Sequence, residues 1–137
     1  MSTLRTNALE GMDAKNSITI VAGAGNITTT NVQEGLAKCW VKTAEDLTSI
    51  DDSFNVSSIA DDGTGDGGVT LTASMSNANY AMKGSTRSGS SASIMTIDYD
   101  GTQSTASFEF EIAHANASVN RTAIDRHSFQ SVHGDLA

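Results

Sequence analysis

Three histidines are the residues whose chemistry and spacing first suggest a site in this sequence. His127 and His133 belong to one alternating stretch, so an ideal strand would point both side chains the same way as Phe129 and Ser131. His114 comes from a neighbouring segment. If three copies of the chain met on an axis, an inward histidine would become a ring of three imidazoles that binds a metal or a water network. His127 and His133 are therefore candidate metal ligands, and satisfied polar positions at a strand end are the alternative.

An Asp-Gly cluster at residues 60–68 (ADDGTGDGG) offers a second kind of chemistry. Asp61, Asp62 and Asp66 carry closely spaced carboxylates, the ligand type that calcium prefers. The spacing matches no EF-hand loop, however, and no glutamate follows at the distance such a loop requires. Aspartate and glycine are also the ordinary residues of hairpin turns. The pattern favours a turn between two strands, and a cation site is the alternative.

No residue pattern typical of an enzyme occurs in the sequence. Serine is frequent, but the G-x-S-x-G turn that presents a nucleophilic serine is absent. Cys39 stands beside Trp40, which predicts a small buried side chain rather than a nucleophile, and we place Trp40 in the core as well. Glu109 and Glu111 alternate with apolar residues, which indicates the solvent face of a strand. We therefore predict no enzymatic activity and no cofactor.

The composition excludes several classes of partner. The 137 residues carry a formal net charge of −8 with no basic stripe to offset it, so a nucleic-acid backbone would be repelled. The longest apolar runs, such as 18–24, are far too short to cross a bilayer, and we expect no membrane insertion. The first residues lack the pattern of a secretion signal. The single cysteine permits no intrachain disulfide, which fits folding in a reducing cytoplasm.

Short alternating segments between turn residues predict an all-β chain. About eight such segments occur, among them 53–59, and residues 107–112 form the clearest amphipathic strand. The pattern is typical of a small antiparallel β-sandwich or barrel knob. Residues 1–17 show neither helical nor strand periodicity, which indicates an extended N-terminal arm. We divide the chain into residues 1–38, an arm with short strands for attachment and trimerisation, and residues 39–137, the β knob.

The second part of the chain carries several short motifs in a fixed order. A Gly-Leu-Ala-Lys-x-Trp start at Gly35–Trp40 is followed by SFNVSSI at 53–59, DDGTGD at 61–66, NANY at 77–80 and a closing HGDLA at 133–137. In this order the motifs resemble a module of tail fibres and related virion proteins of marine bacteriophages, over about residues 30–137. Two places depart from that module. Gly67 and Gly68 follow the hairpin where an aromatic or β-branched residue is usual, and His133 replaces an aromatic residue.

The resemblance implies a β-rich knob, a homotrimer, that belongs to a virus particle and is assembled in the cytoplasm of the bacterial host. We therefore expect a bacteriophage virion structural protein, either a short tail fibre or a fibre tip, that takes part in host-surface attachment. Its implied partners are further copies of itself, another virion protein, and a glycan or protein of the host surface. Leu4, Arg5 and Leu9 are the candidate residues by which the arm docks on the virion.

Receptor binding is expected on loops, because loops carry recognition on rigid β scaffolds. The polar stretch 84–91, the Asp-Gly turn and the turn at 98–102 supply small hydroxyl, carboxylate and amide groups that hydrogen-bond sugars. The candidate receptor-binding residues are Ser85, Thr86, Arg87, Ser88, Asp62 and Asp66.

Three other functions stay open from the sequence. A capsid decoration or cement protein would share the virion location but never touch the host. A calcium-dependent, lectin-like binder would use the Asp-Gly cluster. A carbohydrate-active enzyme of the tailspike kind is the alternative from another class, and the chain offers it no spaced carboxylate pair on a recognisable scaffold.

Overall fold

The computed structural model describes residues 19–21, 29–31, 35–87, 93–97, 101–115 and 121–137. The chain divides into two units, Met1–Leu36 and Ala37–Ala137. In the first unit, strands β1 (Thr19–Val21) and β2 (Thr29–Asn31) form an antiparallel pair. The predicted arm, with Leu4, Arg5 and Leu9, lies outside the described residues.

Antiparallel strands in two sheets build the second unit, which confirms the predicted all-β fold. In chain order they are β3 (Cys39–Thr43), β4 (Ile50–Phe54), β5 (Val56–Gly63), β6 (Asp66–Leu71), β7 (Ala81–Thr86), β8 (Ser93–Ile97), β9 (Ser107–Ala115), β10 (Arg121–Ala123) and β11 (Ser128–His133). Within the described part of the chain, no helix is long and apolar enough to span a membrane.

The two sheets differ in strand number and strand order, and one of them curls into a half-barrel. The four-stranded sheet has the order β4-β3-β11-β7. The five-stranded sheet is built around β9. Strand β8 pairs with residues 110–114 of β9, while β6 pairs with 107–111 and β10 with 113–115. Because β8 overlaps both of these partners, β6 and β10 share the opposite edge of β9 end to end, and β5 lies outside β6.

The hydrophobic core consists of inward-facing residues from both sheets. The amphipathic strand predicted at 107–112 is confirmed, since Phe108, Phe110 and Ile112 of β9 are fully buried. Val41 of β3 and Val132 of β11 belong to the same buried cluster. Both sheets therefore pack on a single core, and β9 supplies two of its largest side chains.

The prediction of one continuous strand at 53–59 is wrong, because the chain bends at Asn55. Strand β4 ends there in one sheet, and β5 begins in the other. Asn55 has a φ of 58°, a conformation that asparagine adopts more readily than most residues. Its side-chain amide donates to the carbonyls of Lys38 and Ala73 at 2.9 and 3.1 Å, and its Oδ1 accepts the N–H of Ala73 at 2.7 Å. Asn55 therefore joins three segments at the corner between the sheets.

The predicted turn in the Asp-Gly cluster is the β5–β6 hairpin, and its tip is packed rather than free. Gly65 has a φ of 74°, and a Cβ there would lie 2.3 Å from the carbonyl oxygen of Ile112. The Gly65 N–H donates to Oδ1 of Asp125 at 2.6 Å, and its carbonyl accepts the N–H of Ile112 at 2.6 Å. Only glycine fits this close approach, so the tip is fixed against β9.

A third long-range contact, after those of Asn55 and Gly65, connects the NANY and HGDLA segments. The Tyr80 hydroxyl lies 2.9 Å from the carbonyl oxygens of both Ser104 and Ser107, to which it donates. A Cβ at Gly134 would lie 2.8 Å from the Cβ of Tyr80, so the closing segment packs closely against the base of this side chain. Together with Asn55 and Gly65, these positions show that the motif residues act in the architecture of the fold.

Candidate functional site

The outward-facing side of the four-stranded sheet carries large apolar side chains that no described residue covers. In β3, Cys39 and Val41 point inward and are buried, as predicted for Cys39. Trp40 alternates with them and is 38% exposed, so its predicted place in the core is wrong. Phe54 of β4 is 51% exposed and Phe129 of β11 is 40% exposed. Burial of its two neighbours turns Trp40 outward.

Strand register arranges these residues into two rows across the sheet. The first row runs Phe54, Trp40, Ser131, Lys83, and the second runs Asp52, Lys42, Phe129, Ser85. We call these eight residues the outer face. Trp40 stands directly opposite Phe54 and diagonally opposite Phe129, and both arrangements bring side chains within reach of each other. The three aromatic rings therefore form a line across β4, β3 and β11.

An open groove of about 500 Å³ lies on the outer face. Trp40 and Phe129 form its apolar part. Lys83, Ser85 and Ser131 line it from β7 and β11, and Asp52 lines it from β4. An apolar surface with a few convergent polar groups is the usual form of a small-molecule site.

The electrostatic field of the groove differs between its two sides. On the β3–β4 side, the Lys42 ammonium lies 2.7 Å from Oδ2 of Asp51, so this cation is neutralised. Asp52 accepts the N–H of Ser53 at 2.9 Å. On the β7 side, Lys83 forms no ion pair with any described residue. Among the described residues, the groove thus has one cation without an ion pair, at its β7 border.

A buried polar cluster behind the outer face fixes the register of β3 and β11. The hydroxyls of Thr43 and Ser128 lie 2.8 Å apart, and the Ser128 N–H donates to the Thr43 hydroxyl at 3.0 Å. The Gln130 amide donates to the Ser128 hydroxyl at 2.9 Å. All three residues are buried. A register slip would break these bonds, so the cluster determines where Phe129 stands relative to Trp40.

The stretch 84–91, predicted to be a receptor-binding loop, begins as strand. Ser85 and Thr86 belong to β7, because β11 pairs with them. Ser85 lines the groove, whereas the Thr86 hydroxyl donates to the carbonyl of His127 at 3.1 Å. The Arg87 N–H donates to the same carbonyl at 3.0 Å, and Ser88 lies outside the described residues.

The candidates Asp62 and Asp66 belong to the five-stranded sheet, apart from the β7 residues. Asp62 is exposed on β5, and Asp66 begins β6. The nearby Asp61 carboxylate accepts the N–H of Gly63 at 3.2 Å, which is the usual way that aspartate closes a turn. The structure therefore does not unite the predicted receptor-binding residues in one site.

The candidate metal ligands His127 and His133 lie at opposite ends of β11. His127 precedes the strand, and its Nδ1 lies 2.9 Å from the carbonyl oxygen of Thr43 and 3.8 Å from Oδ2 of Asp51. His114 lies on β9, and its buried Nδ1 has no hydrogen-bond partner among the described residues. In the described ranges, no group of three or more histidine, cysteine or acidic residues is placed to hold a metal ion.

Sequence reasoning missed the outer face, although its signal is visible in two short segments. In CWVKT (39–43), a lysine alternates with two apolar residues and a threonine, so one face of the strand carries both Trp40 and Lys42. In SFQSVH (128–133), Phe129 shares its face with a serine and a histidine. An aromatic residue in phase with polar residues indicates an exposed aromatic.

Comparison of the chain with protein-family models, curated proteins and solved structures gives no match.

Proposed function

We propose that this chain is a bacteriophage virion protein, a short tail fibre or fibre tip, and that its outer face binds a glycan on the host cell surface. The observation that carries the proposal is the line of exposed aromatic rings beside the hydroxyls of Ser85 and Ser131. Sugars present apolar C–H faces and polar edges, and such a ligand needs both kinds of group. The ordered sequence motifs support the virion assignment.

The dimensions of the aromatic line suit a chain of sugars. Neighbouring strands lie ~4.8 Å apart, so β4 and β11 are separated by about 10 Å. Phe54, Trp40 and Phe129 span this distance. Two linked pyranose rings have a similar length. Aromatic side chains supply a large apolar contact at a small cost in side-chain entropy, which suits a rigid binding platform.

A homotrimer, held on another virion protein through the N-terminal arm, is part of the same proposal. A single open groove binds weakly, and three grooves on one fibre tip gain affinity by acting together on a surface rich in repeated glycans. This proposal keeps the outer face free of subunit contacts. Replacing Trp40 should therefore leave the sedimentation coefficient of the full chain unchanged, whereas dissociation of an oligomer would identify the face as a subunit interface.

Binding of the full chain to a panel of extracted bacterial surface polysaccharides tests the proposal. Trp40→Ala should weaken binding at least about tenfold, because truncating a central aromatic anchor removes much of the contact energy. Thr70→Ala, at an exposed position on β6 of the other sheet, is the matched control and should leave binding unchanged. Absence of binding across the panel would overturn host attachment and favour the decoration protein.

A further inference from the structure

We infer that the glycan bound by the outer face is acidic, and that Lys83 and Arg87 on the β7 border hold its carboxylate groups. This inference rests on the proposed function and names the class of ligand. Uronic acid polymers are the simplest members of that class, since they carry one carboxylate on each sugar ring.

The described cations differ in whether they form ion pairs. Four of the six cationic side chains in the described residues are engaged: Lys42, Arg121 and Arg126 pair with Asp51, Glu111 and Glu45, and Lys38 is buried with a partner of its own. Lys83 and Arg87 are exposed and form no ion pair with any described residue. Within the described part of the chain, the two cations without an ion pair thus lie at one edge of one sheet.

The geometry of β7 places Lys83 and Arg87 on the outer side of the sheet. Its inward residue Met82 packs against the core, so Lys83 and Ser85 point outward and line the groove. The hydrogen bond from the Arg87 N–H to the carbonyl of His127 continues the β7–β11 ladder by one residue. Strand alternation therefore places Arg87 on the same side as Lys83, about 13 Å farther along the chain. Lys83 thus lines the groove, and Arg87 follows it on the same side of the sheet, at a spacing longer than one sugar.

The chain as a whole is acidic. With a formal net charge of −8, the protein repels anions at long range. The outer face is an exception, because the Lys42–Asp51 pair is neutral and Asp52 lies on β4, three strands from β7. Over the described ranges, the place that attracts an acidic glycan is the one where cations without an ion pair adjoin the aromatic line.

The test compares acidic polymers with neutral versions of themselves. Alginate, polygalacturonate and hyaluronate are each titrated into the full chain beside their carboxyl-reduced counterparts, and poly(dT) tests for nucleic-acid binding. We expect at least one acidic polymer to bind at least tenfold more tightly than its reduced form. That preference should weaken as the salt concentration rises, because the contacts to Lys83 and Arg87 are ionic.

Variants assign the preference to β7. The double variant Lys83→Ala/Arg87→Ala should remove the preference for the acidic polymer and leave binding of the reduced polymer unchanged. Arg121→Ala removes the same type of charge from β10 and should retain the preference. Trp40→Ala should weaken binding of both polymers. Thermal unfolding of each variant confirms that the fold is intact.

Each contrary result has a separate meaning. If every acidic polymer binds no better than its reduced form, and both depend on Trp40, the inference is overturned while the proposed function stands. If no polysaccharide of the wider panel binds, the proposed function itself fails. Tighter binding of poly(dT) than of any polysaccharide would replace the glycan by a nucleic acid.

Discussion

Strand β9 buries its aromatic side chains, whereas strand β11 exposes its phenylalanine. In β9, Phe108 and Phe110 are inside and Glu109 lies on the opposite side, as expected for a sheet with one face on the core. In β11, Phe129 is 40% exposed, while Ser128 and Gln130 face inward and are buried. Both strands alternate regularly, but only β9 turns its aromatic side chains inward.

This difference indicates that β9 contributes to stability, whereas β11 also contributes an aromatic side chain to the outer face. In β9 the apolar side chains lie where water is excluded, which is where they stabilise the fold most. In β11 the aromatic side chain lies outside, and the polar residues Ser128 and Gln130 share the inner side with Val132. Aromatic side chains usually face the core and polar ones face solvent. Where a folded protein departs from this pattern, a functional site is expected. The outer face fits that description.

The largest loss of stability is expected from a substitution on the buried side of β9. Phe110→Ala should reduce the free energy of unfolding by about 3–5 kcal/mol, because it removes a fully buried ring and leaves a cavity. Chemical denaturation measures the change. Glu109→Ala on the same strand is the control and should cost far less. Equal losses for the two variants would contradict the burial described for β9.

The second test concerns the polar inner face of β11. Ser128→Ala should cost about 1–3 kcal/mol, because it removes the buried oxygen to which the Thr43 hydroxyl and the Gln130 amide hydrogen-bond. Denaturation midpoints measure the loss. Ser131→Ala, on the outward side of the same strand, should cost about 0.5 kcal/mol or less.

The cluster also predicts an interaction between its members. Thr43→Val combined with Ser128→Ala should cost less than the sum of the single variants, since both partners of one hydrogen bond are then removed together. Strictly additive losses would show that the two hydroxyls act independently.

The third test uses pH to probe Cys39, the inward neighbour of Trp40. Burial raises the pKa of the Cys39 thiol from 9.0 to about 11. Above pH 9 the unfolded chain loses this proton before the native state does, so the native state binds more protons and stability falls as pH rises toward 11. Urea midpoints between pH 8 and pH 11 measure the slope, which Cys39→Ala should flatten.

A remaining slope in the Cys39→Ala variant is expected from Tyr80. Burial raises the pKa of its hydroxyl from 10.0 to about 12, so its contribution is lost at higher pH, from about 10 upward. An unchanged slope between pH 9 and 10 in the variant would contradict the buried position of the thiol.

The smallest effect on stability is expected at the outer face. Phe129→Ala should cost about 1 kcal/mol or less, because much of this ring is already in water. The same variant should weaken glycan binding at least about tenfold, since Phe129 forms the far end of the aromatic line. A large loss of stability with unchanged binding would show that Phe129 serves stability, as the aromatic residues of β9 do. That result would contradict the proposed site.

Sequence reasoning reached the fold class, the amphipathic strand β9, the Asp-Gly turn and the buried Cys39, because each depends on local alternation or turn chemistry. It failed at Asn55, where a side-chain amide bonds to carbonyls 17 and 18 residues away and turns one expected strand into two. It also placed Trp40 in the core. The type of a single residue does not reveal which side of a strand faces the core. That orientation determines whether Trp40 belongs to the core or to the outer face.

The sequence by itself determined the period of the strands, the positions where the chain turns, and the excess of negative charge. These depend on neighbouring residues or on composition, which the order of residues contains directly. Only the tertiary structure decided that Trp40, Phe54 and Phe129 meet on one surface, and that Lys83 and Arg87 border it. The rows of the outer face cross four strands drawn from distant parts of the chain, and their register is set by long-range hydrogen bonds such as those of Thr43 with Ser128.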